Sequence, residues 1–148
     1  LLPVFTGQVQ PEKQAPAIMP IGTEHILLID DEQLLVDMGK TLLERLGYRV
    51  TTRTNSLDAL NTFQNQPQAF DLVLTDQTMP IMAGSDLARR ILQIRPDIPI
   101  ILCTGYSSLI SEAKAKSMGI KGFAMKPLAK KDLAALIRKV LDENARLW

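Results

Sequence analysis

Four apolar runs in this 148-residue chain each lead into a residue that can handle phosphate. Ile26-Leu27-Leu28-Ile29 ends in Asp30-Asp31, Leu72-Val73-Leu74-Thr75 ends in Asp76, Ile98 to Cys103 ends in Thr104, and Met125 leads into Lys126-Pro127. If these runs are neighbouring parallel strands, their tips meet at one edge of one sheet. Three carboxylates, a hydroxyl and an ammonium then share a pocket. Carboxylates so close repel and raise one another's pKa. Mg²⁺ (or Mn²⁺) relieves the repulsion, taking hard oxygen ligands while keeping waters that a phosphate can displace.

Each residue also has a simpler reading: Asp76 could be a loop-entry Asp making a turn, Thr104 a structural strand end, and Lys126 an exposed, solvated side chain. Asp30 and Asp31 could merely cap the following helix, since Asp is a good N-cap. Asp76 follows a buried run and opens the loop Gln77 to Gly84, where a carboxylate faces an incoming phosphoryl donor. Carboxylates are nucleophiles in aspartyl-phosphate chemistry, and transfer to one is mostly positioning and charge neutralisation. Thr104, beside Gly105, offers a hydroxyl and open backbone to a phosphoryl oxygen. Lys126 at a buried strand end needs an anion nearby, and the Lys126–Pro127 bond is a candidate for the cis form. Phe123 is most simply a packed strand residue; its functional alternative is a ring that turns inward when Thr104 moves. His25 reads as structural, and Cys103 as inert packing in a buried strand.

The elements that must position these residues alternate. Strands are expected at 25–30, 48–52, 71–75, 98–103 and 121–125, and all but the second are dominated by apolar residues, as in a parallel sheet covered on both faces. Helices are expected at 32–46, 56–66, 84–95, 107–118 and 129–145. The last carries the apolar stripe Leu133, Leu136, Ile137, Val140, Leu141. Gly47, Pro96 and Gly119 stand where helices should stop. Five βα units imply an open three-layer sandwich whose ligands bind beyond the carboxyl ends of the strands.

Composition fits one domain with a real core. Apolar residues make up 46%, charged residues 22%, and the formal charge is +1. That charge argues against a broad attraction to nucleic acid or to an anionic membrane surface. No apolar stretch approaches the ~20 residues of a membrane helix. Residues 7–23, with Pro11, Pro16 and Pro20, read as a flexible linker. The abrupt apolar start, without a basic leader or initiator Met, suggests a fragment of a longer protein, and the single Cys103 suggests a cytosolic one.

The set Asp30-Asp31, Asp76, Met79-Pro80, Gly84, Thr104-Gly105 and Lys126-Pro127 resembles the receiver domain of two-component response regulators, over about residues 24 to 145. The resemblance implies a flavodoxin-like (βα)5 fold occupying residues 24–146, with a five-stranded parallel sheet in the order 2-1-3-4-5 that receivers share with flavodoxin. It further implies that Asp76 is the phosphoacceptor. Asp31, Asp76 and the backbone carbonyl of Thr78 would bind Mg²⁺ directly, with Asp30 acting through water. Lys126 would contact the phosphoryl group, Thr104 and Phe123 would be the switch pair, and Thr78 and Tyr106 would tune dephosphorylation. Ala83 stands where family members often carry Asp, a change bearing on loop rigidity.

Thr104-Gly105-Tyr106-Ser107 and the following Ala/Lys-rich helix resemble receivers at the C-terminus of hybrid sensor histidine kinases. Leu2-Pro3-Val4-Phe5 resembles the last strand of a histidine-kinase ATP-binding domain, which would make residues 1–6 its tail end. On that reading the phosphohistidine donor is a kinase dimerisation and phosphotransfer domain, in the same polypeptide or another. A histidine phosphotransfer protein would be a possible further partner, and no output domain would be expected after the last helix. The receiver alone would be a phosphoacceptor with at most self-dephosphorylation, its parent a protein-histidine kinase. Two alternatives stay open. A haloacid-dehalogenase-type phosphatase also uses Asp, Mg²⁺ and Lys, although its second Asp would fall at Glu32. A receiver-like binding module would keep the fold without being phosphorylated.

Overall fold

A computed structural model describes residues 21–105, 110–126 and 129–145. In chain order the elements are β1 (His25–Ile29), α1 (Gln33–Arg45), β2 (Arg49–Arg53), α2 (Ser56–Asn65), β3 (Leu72–Asp76), α3 (Gly84–Ile94), β4 (Ile100–Thr104), α4 (Glu112–Ser117), β5 (Gly122–Met125) and α5 (Lys130–Ala145). The five strands form one parallel sheet in the order β2-β1-β3-β4-β5, as expected.

Strand alternation explains the two cores. Leu27, Ile29, Val73, Ile100 and Leu102 pack against α2, α3 and α4 through Phe63, Leu87, Ile91 and Ala115. Ile26, Leu28, Leu72, Leu74, Ile101, Cys103 and Ala124 face α1 and α5, meeting Leu43, Ile137 and Val140. Successive side chains point to opposite faces, so the residue at each strand tip inherits its face. Asp30, Asp76, Cys103 and Lys126 fall on the α1/α5 side, and Thr104 falls on the other.

Glycine ends two helices as the breaker positions imply. Gly47 has φ 101°; its N–H bonds Glu44 O, and Tyr48 N–H bonds Leu43 O, the paired bonds of a Schellman cap. Gly119, φ 94°, repeats this pattern after α4. One expectation needs correcting. The fourth helix is shorter than 107–118, because Ser111 is extended and its side chain accepts the Lys114 N–H. A serine in that role sets the first turn behind it, so Ile110 and Ser111 are not helical. Residues 106–109 lie outside the described residues. Of the expected tail and linker, residues 1–20 also lie outside them.

The incoming segment is docked from residue 21. Gly22 N–H donates to Leu46 O at 3.0 Å, and a side chain at Gly47 would put its Cβ 2.3 Å from Gly22 O. Arg138 on α5 grips the same segment, donating to both Glu24 carboxylate oxygens at 2.6 and 3.1 Å and to Ile21 O at 3.1 Å. It also bonds Asp142 at 3.0 Å. The hydrogen bond from Arg138 holds the Glu24 carboxyl below its ordinary 4.5, against the opposing effect of burial. A lowered carboxyl stabilises the fold above its unfolded value, and that contribution is lost as pH falls through its folded value. Arg138→Met is therefore expected to lower Tm by roughly 3–8 °C at pH 7, for a loss of about 1–2 kcal/mol. Thermal melts across pH should show the gap to wild type narrowing as pH falls from 4.5 through the lowered Glu24 value.

Candidate functional site

Register brings the acidic residues together. Ile29 pairs with Thr75, and Asp76 with Cys103, so the residues following β1, ending β3 and following β5 converge at the carboxyl edge. Oxygens of Asp30, Asp31 and Asp76 lie within 4.8 Å of one another. Asp30 and Asp76 are buried and Asp31 is exposed. The Lys126 ammonium reaches over both buried acids, with Nζ 2.9 Å from Asp30 Oδ2 and 2.9 Å from Asp76 Oδ1. Beside them a cleft of about 380 Å³ runs past Cys103, Leu28, Met38 and Leu133 between α1 and α5.

The electrostatics follow from crowding. Burial raises the Asp76 carboxyl above its ordinary value; hydrogen bonding to Lys126 works against this, and the charges of Asp30 and Asp31 add to it. Burial alone would lower the Lys126 ammonium, but its bonds to Asp76 and Asp30 outweigh that and hold it firmly protonated. One ammonium against three carboxylates leaves an excess of negative charge, and the free lone pairs are hard carboxylate oxygens. This donor set fits a hard divalent cation.

Helix capping does not account for the acidic pair. The N-cap of α1 is Glu32, which makes no side-chain cap bond. Asp30 Oδ1 instead accepts the Glu32 N–H at 3.0 Å, turning the chain away from the strand and fixing its own carboxylate.

The other expected residues divide. Thr78 is exposed, two residues beyond Asp76. Thr104 is buried on the far face, its hydroxyl donating to Met125 Sδ at 3.1 Å, so it is not among the groups gathered around Lys126. Phe123 is half-buried against the α2–α4 core. Its register partner is Leu102, which puts it on the same face as Thr104. Tyr106 and Pro127 lie outside the described residues. Cys103 lines the cleft, but burial pushes its thiol up to about 12.

His25 opens β1 at the opposite edge, with Nδ1 2.9 Å from Ala69 O and Nε2 2.8 Å from Thr51 Oγ1. A carbonyl can only accept, so Nδ1 carries a proton and the ring is satisfied structurally.

Sequence reasoning passed over Gln77. Its side chain accepts the Ser85 N–H at 2.7 Å and donates to Ser85 Oγ at 3.1 Å. The visible signal was Ala83, a helix-start position with no side chain able to cap.

Known proteins share both this sequence pattern and this fold. The sequence model described as "Response regulator receiver domain" matches residues 26–138. The chain belongs to this family. It is 31% identical over 117 residues to the response regulator SaeR of Staphylococcus aureus, an alignment covering 79% of this chain and 50% of that protein. The chain thus spans about half the length of the curated relatives it matches. A receiver domain protein from Clostridium thermocellum superimposes with TM-score 0.80 at 32% identity, covering 84% of this chain and 99% of that one. A CheY-like receiver from Methanospirillum hungatei gives 0.79 at 31%, covering 86% and 100%. Receiver domains take phosphoryl groups from histidine kinases and bind Mg²⁺ at an acidic site.

Two outcomes follow for this receiver. Lys126→Met should lower Tm by several degrees in chelator, because two buried acids lose their cation, and adding Mg²⁺ should recover more stability than it gives wild type. Cys103 should resist maleimide in the native state and label once denaturant unfolds the chain, as mass spectrometry would show.

Proposed function

We propose that Asp76 accepts a phosphoryl group from a phosphohistidine in an Mg²⁺-dependent reaction, and that this switches the surface formed by α4, β5 and α5. The observation that carries this reading is the Lys126 ammonium bridging Asp30 and Asp76 inside the acidic cluster. A carboxylate oxygen of Asp76 attacks phosphorus in line, the phosphorus–nitrogen bond breaks, and the imidazole leaves with that electron pair. The product is an acyl phosphate. Asp31, Asp76 and the Thr78 carbonyl would hold Mg²⁺, Asp30 acting through water, and the ion would neutralise charge on the phosphoryl oxygens.

Lys126 then trades its Asp76 contact for a phosphoryl oxygen while Asp30 keeps it oriented. Thr104 gives up a weak bond to a thioether for one to a charged oxygen, which is the stronger partner. The space it vacates lies on the face where Phe123 packs, so the ring follows. Thr78 and Tyr106 set the lifetime of the phosphoryl group. A few kcal/mol between the two arrangements suffices for such a switch.

The domain is the regulatory or relay receiver of a hybrid sensor histidine kinase, acting in the cytoplasm. A kinase dimerisation domain of the same polypeptide donates, and a histidine phosphotransfer protein is the onward partner. Support comes from Thr104-Gly105-Tyr106-Ser107 and Leu2-Pro3-Val4-Phe5. A histidine-bearing dimerisation helix and an ATP-binding domain upstream of Leu1 in the parent sequence would verify the arrangement. Family membership and Glu32 at the second-Asp position argue against the phosphatase alternative.

Acetyl phosphate with Mg²⁺ should add one phosphoryl group by intact mass. Beryllofluoride should shift amide resonances of α4, β5 and α5. Asp76→Ala should abolish both responses. Wild type that neither binds Mg²⁺ nor takes a phosphoryl group would be a receiver-like binding module instead.

A further inference from the structure

Helix α3 starts without a cap of its own. Its N-cap residue, Ala83, is extended and makes no side-chain cap bond. A capping side chain serves the N–H of the second or third helical residue. Here the second residue is Ser85, and its N–H is taken by Gln77 Oε1 at 2.7 Å. The Gln77 amide also donates to Ser85 Oγ at 3.1 Å, which fixes the orientation of the carboxamide. The cap is thus supplied from the far end of the loop.

The same residue is held along its backbone. Gln77 N–H donates to Cys103 O at 2.8 Å, and Gln77 O accepts the Gly84 N–H at 2.9 Å. Gly84 rests on the strand tip so closely that a Cβ there would lie 2.1 Å from Asp76 O. The loop between these anchors contains Ile81 at φ 71°, a β-branched residue in the left-handed region, 88% exposed. Such backbone persists only where its surroundings enforce it, and an exposed side chain contributes no packing. Three restraints hold it: the closure between Gln77 and α3, the Ser56 hydroxyl donating to Met82 O at 2.7 Å, and Met79 and Met82 packed on the α2–α4 core.

We propose that Gln77 is a positioning residue for the cation site: by capping α3 it fixes the backbone that presents the Asp76 carboxylate and the Thr78 carbonyl. This rests on the function proposed above. Without the clamp the loop is held only from its Met79–Met82 side, and the two groups flanking Gln77 cease to be arranged for one ion before it arrives. Preorganisation of this kind is felt in affinity, not merely in stability.

The test compares wild type, Gln77→Met, and Gln77→Met combined with Ala83→Asn. Asn is a good N-cap and adds no charge near the acids. The Mg²⁺ dissociation constant is read by titration of amide resonances, and the Ser85 amide by hydrogen exchange. Gln77→Met should speed Ser85 exchange and weaken Mg²⁺ binding about fivefold, the size of one lost cap. Adding Ala83→Asn should restore both. Faster Ser85 exchange with unchanged Mg²⁺ affinity would overturn the proposal and leave Gln77 a helix cap. Wild type that binds no Mg²⁺ would overturn the proposed function along with it. Should Gln77→Met not fold, Ser85→Ala, which removes one of the two bonds, should weaken Mg²⁺ binding to a lesser degree; unchanged affinity there overturns the proposal equally.

Discussion

Crowding of negative charge at one sheet edge governs this domain. Asp30 and Asp76 are buried on the same face, with Asp31 beside them. Like charges at that separation would drive the strand tips apart or force protonation. The counter-charge comes from 96 residues away in sequence, just past the last strand. Lys126 reaches both acids because β1, β3 and β5 hold one register across the intervening strand. A one-residue slip in any of them would carry its tip residue to the opposite face. The hydrophobic alternation that builds two cores is therefore what holds the acids and their ammonium together.

On the proposed function the sheet also separates chemistry from its readout. Asp76, Lys126 and Cys103 face the α1/α5 layer, whereas Thr104, Met125 and Phe123 belong to the layer of α2, α3 and α4. At the strand tips no further strand residue stands between the layers. The proposed phosphoryl group at Asp76 would call there on a side chain rooted on the other side. Thr104 would suit that proposed task because its present partner is a thioether, a weak acceptor easily given up.

Residues with local signals were legible in the sequence. Ile26 to Ile29, Leu72 to Thr75 and Ile100 to Cys103 announce buried strands by apolar runs, and the acids at their tips announce the pocket. Glycines 47 and 119 marked helix ends because only a left-handed residue closes those caps. What escaped was set by partners distant in sequence. Ala83 shows that α3 lacks a cap of its own, but not that the Gln77 amide will serve Ser85, and nothing near Glu24 points to Arg138. The late start of α4 depended on Ser111 accepting a backbone N–H, a choice that an Ala/Lys-rich stretch conceals. Helical capping was a fair local reading of Asp30-Asp31, and it yielded to the turn that Asp30 makes with Glu32.

The docking of residues 21–24 has a mechanical corollary. Arg138 sits midway along α5 and grips the segment through Glu24 and the Ile21 carbonyl, while Gly22 lies against the turn after α1. Tension applied at Ile21 would meet the final helix, at the pole remote from the acids, before it reached the first strand. A pull at residue 21 would therefore load the last helix and the turn after the first one, and leave the acidic edge of the sheet untouched.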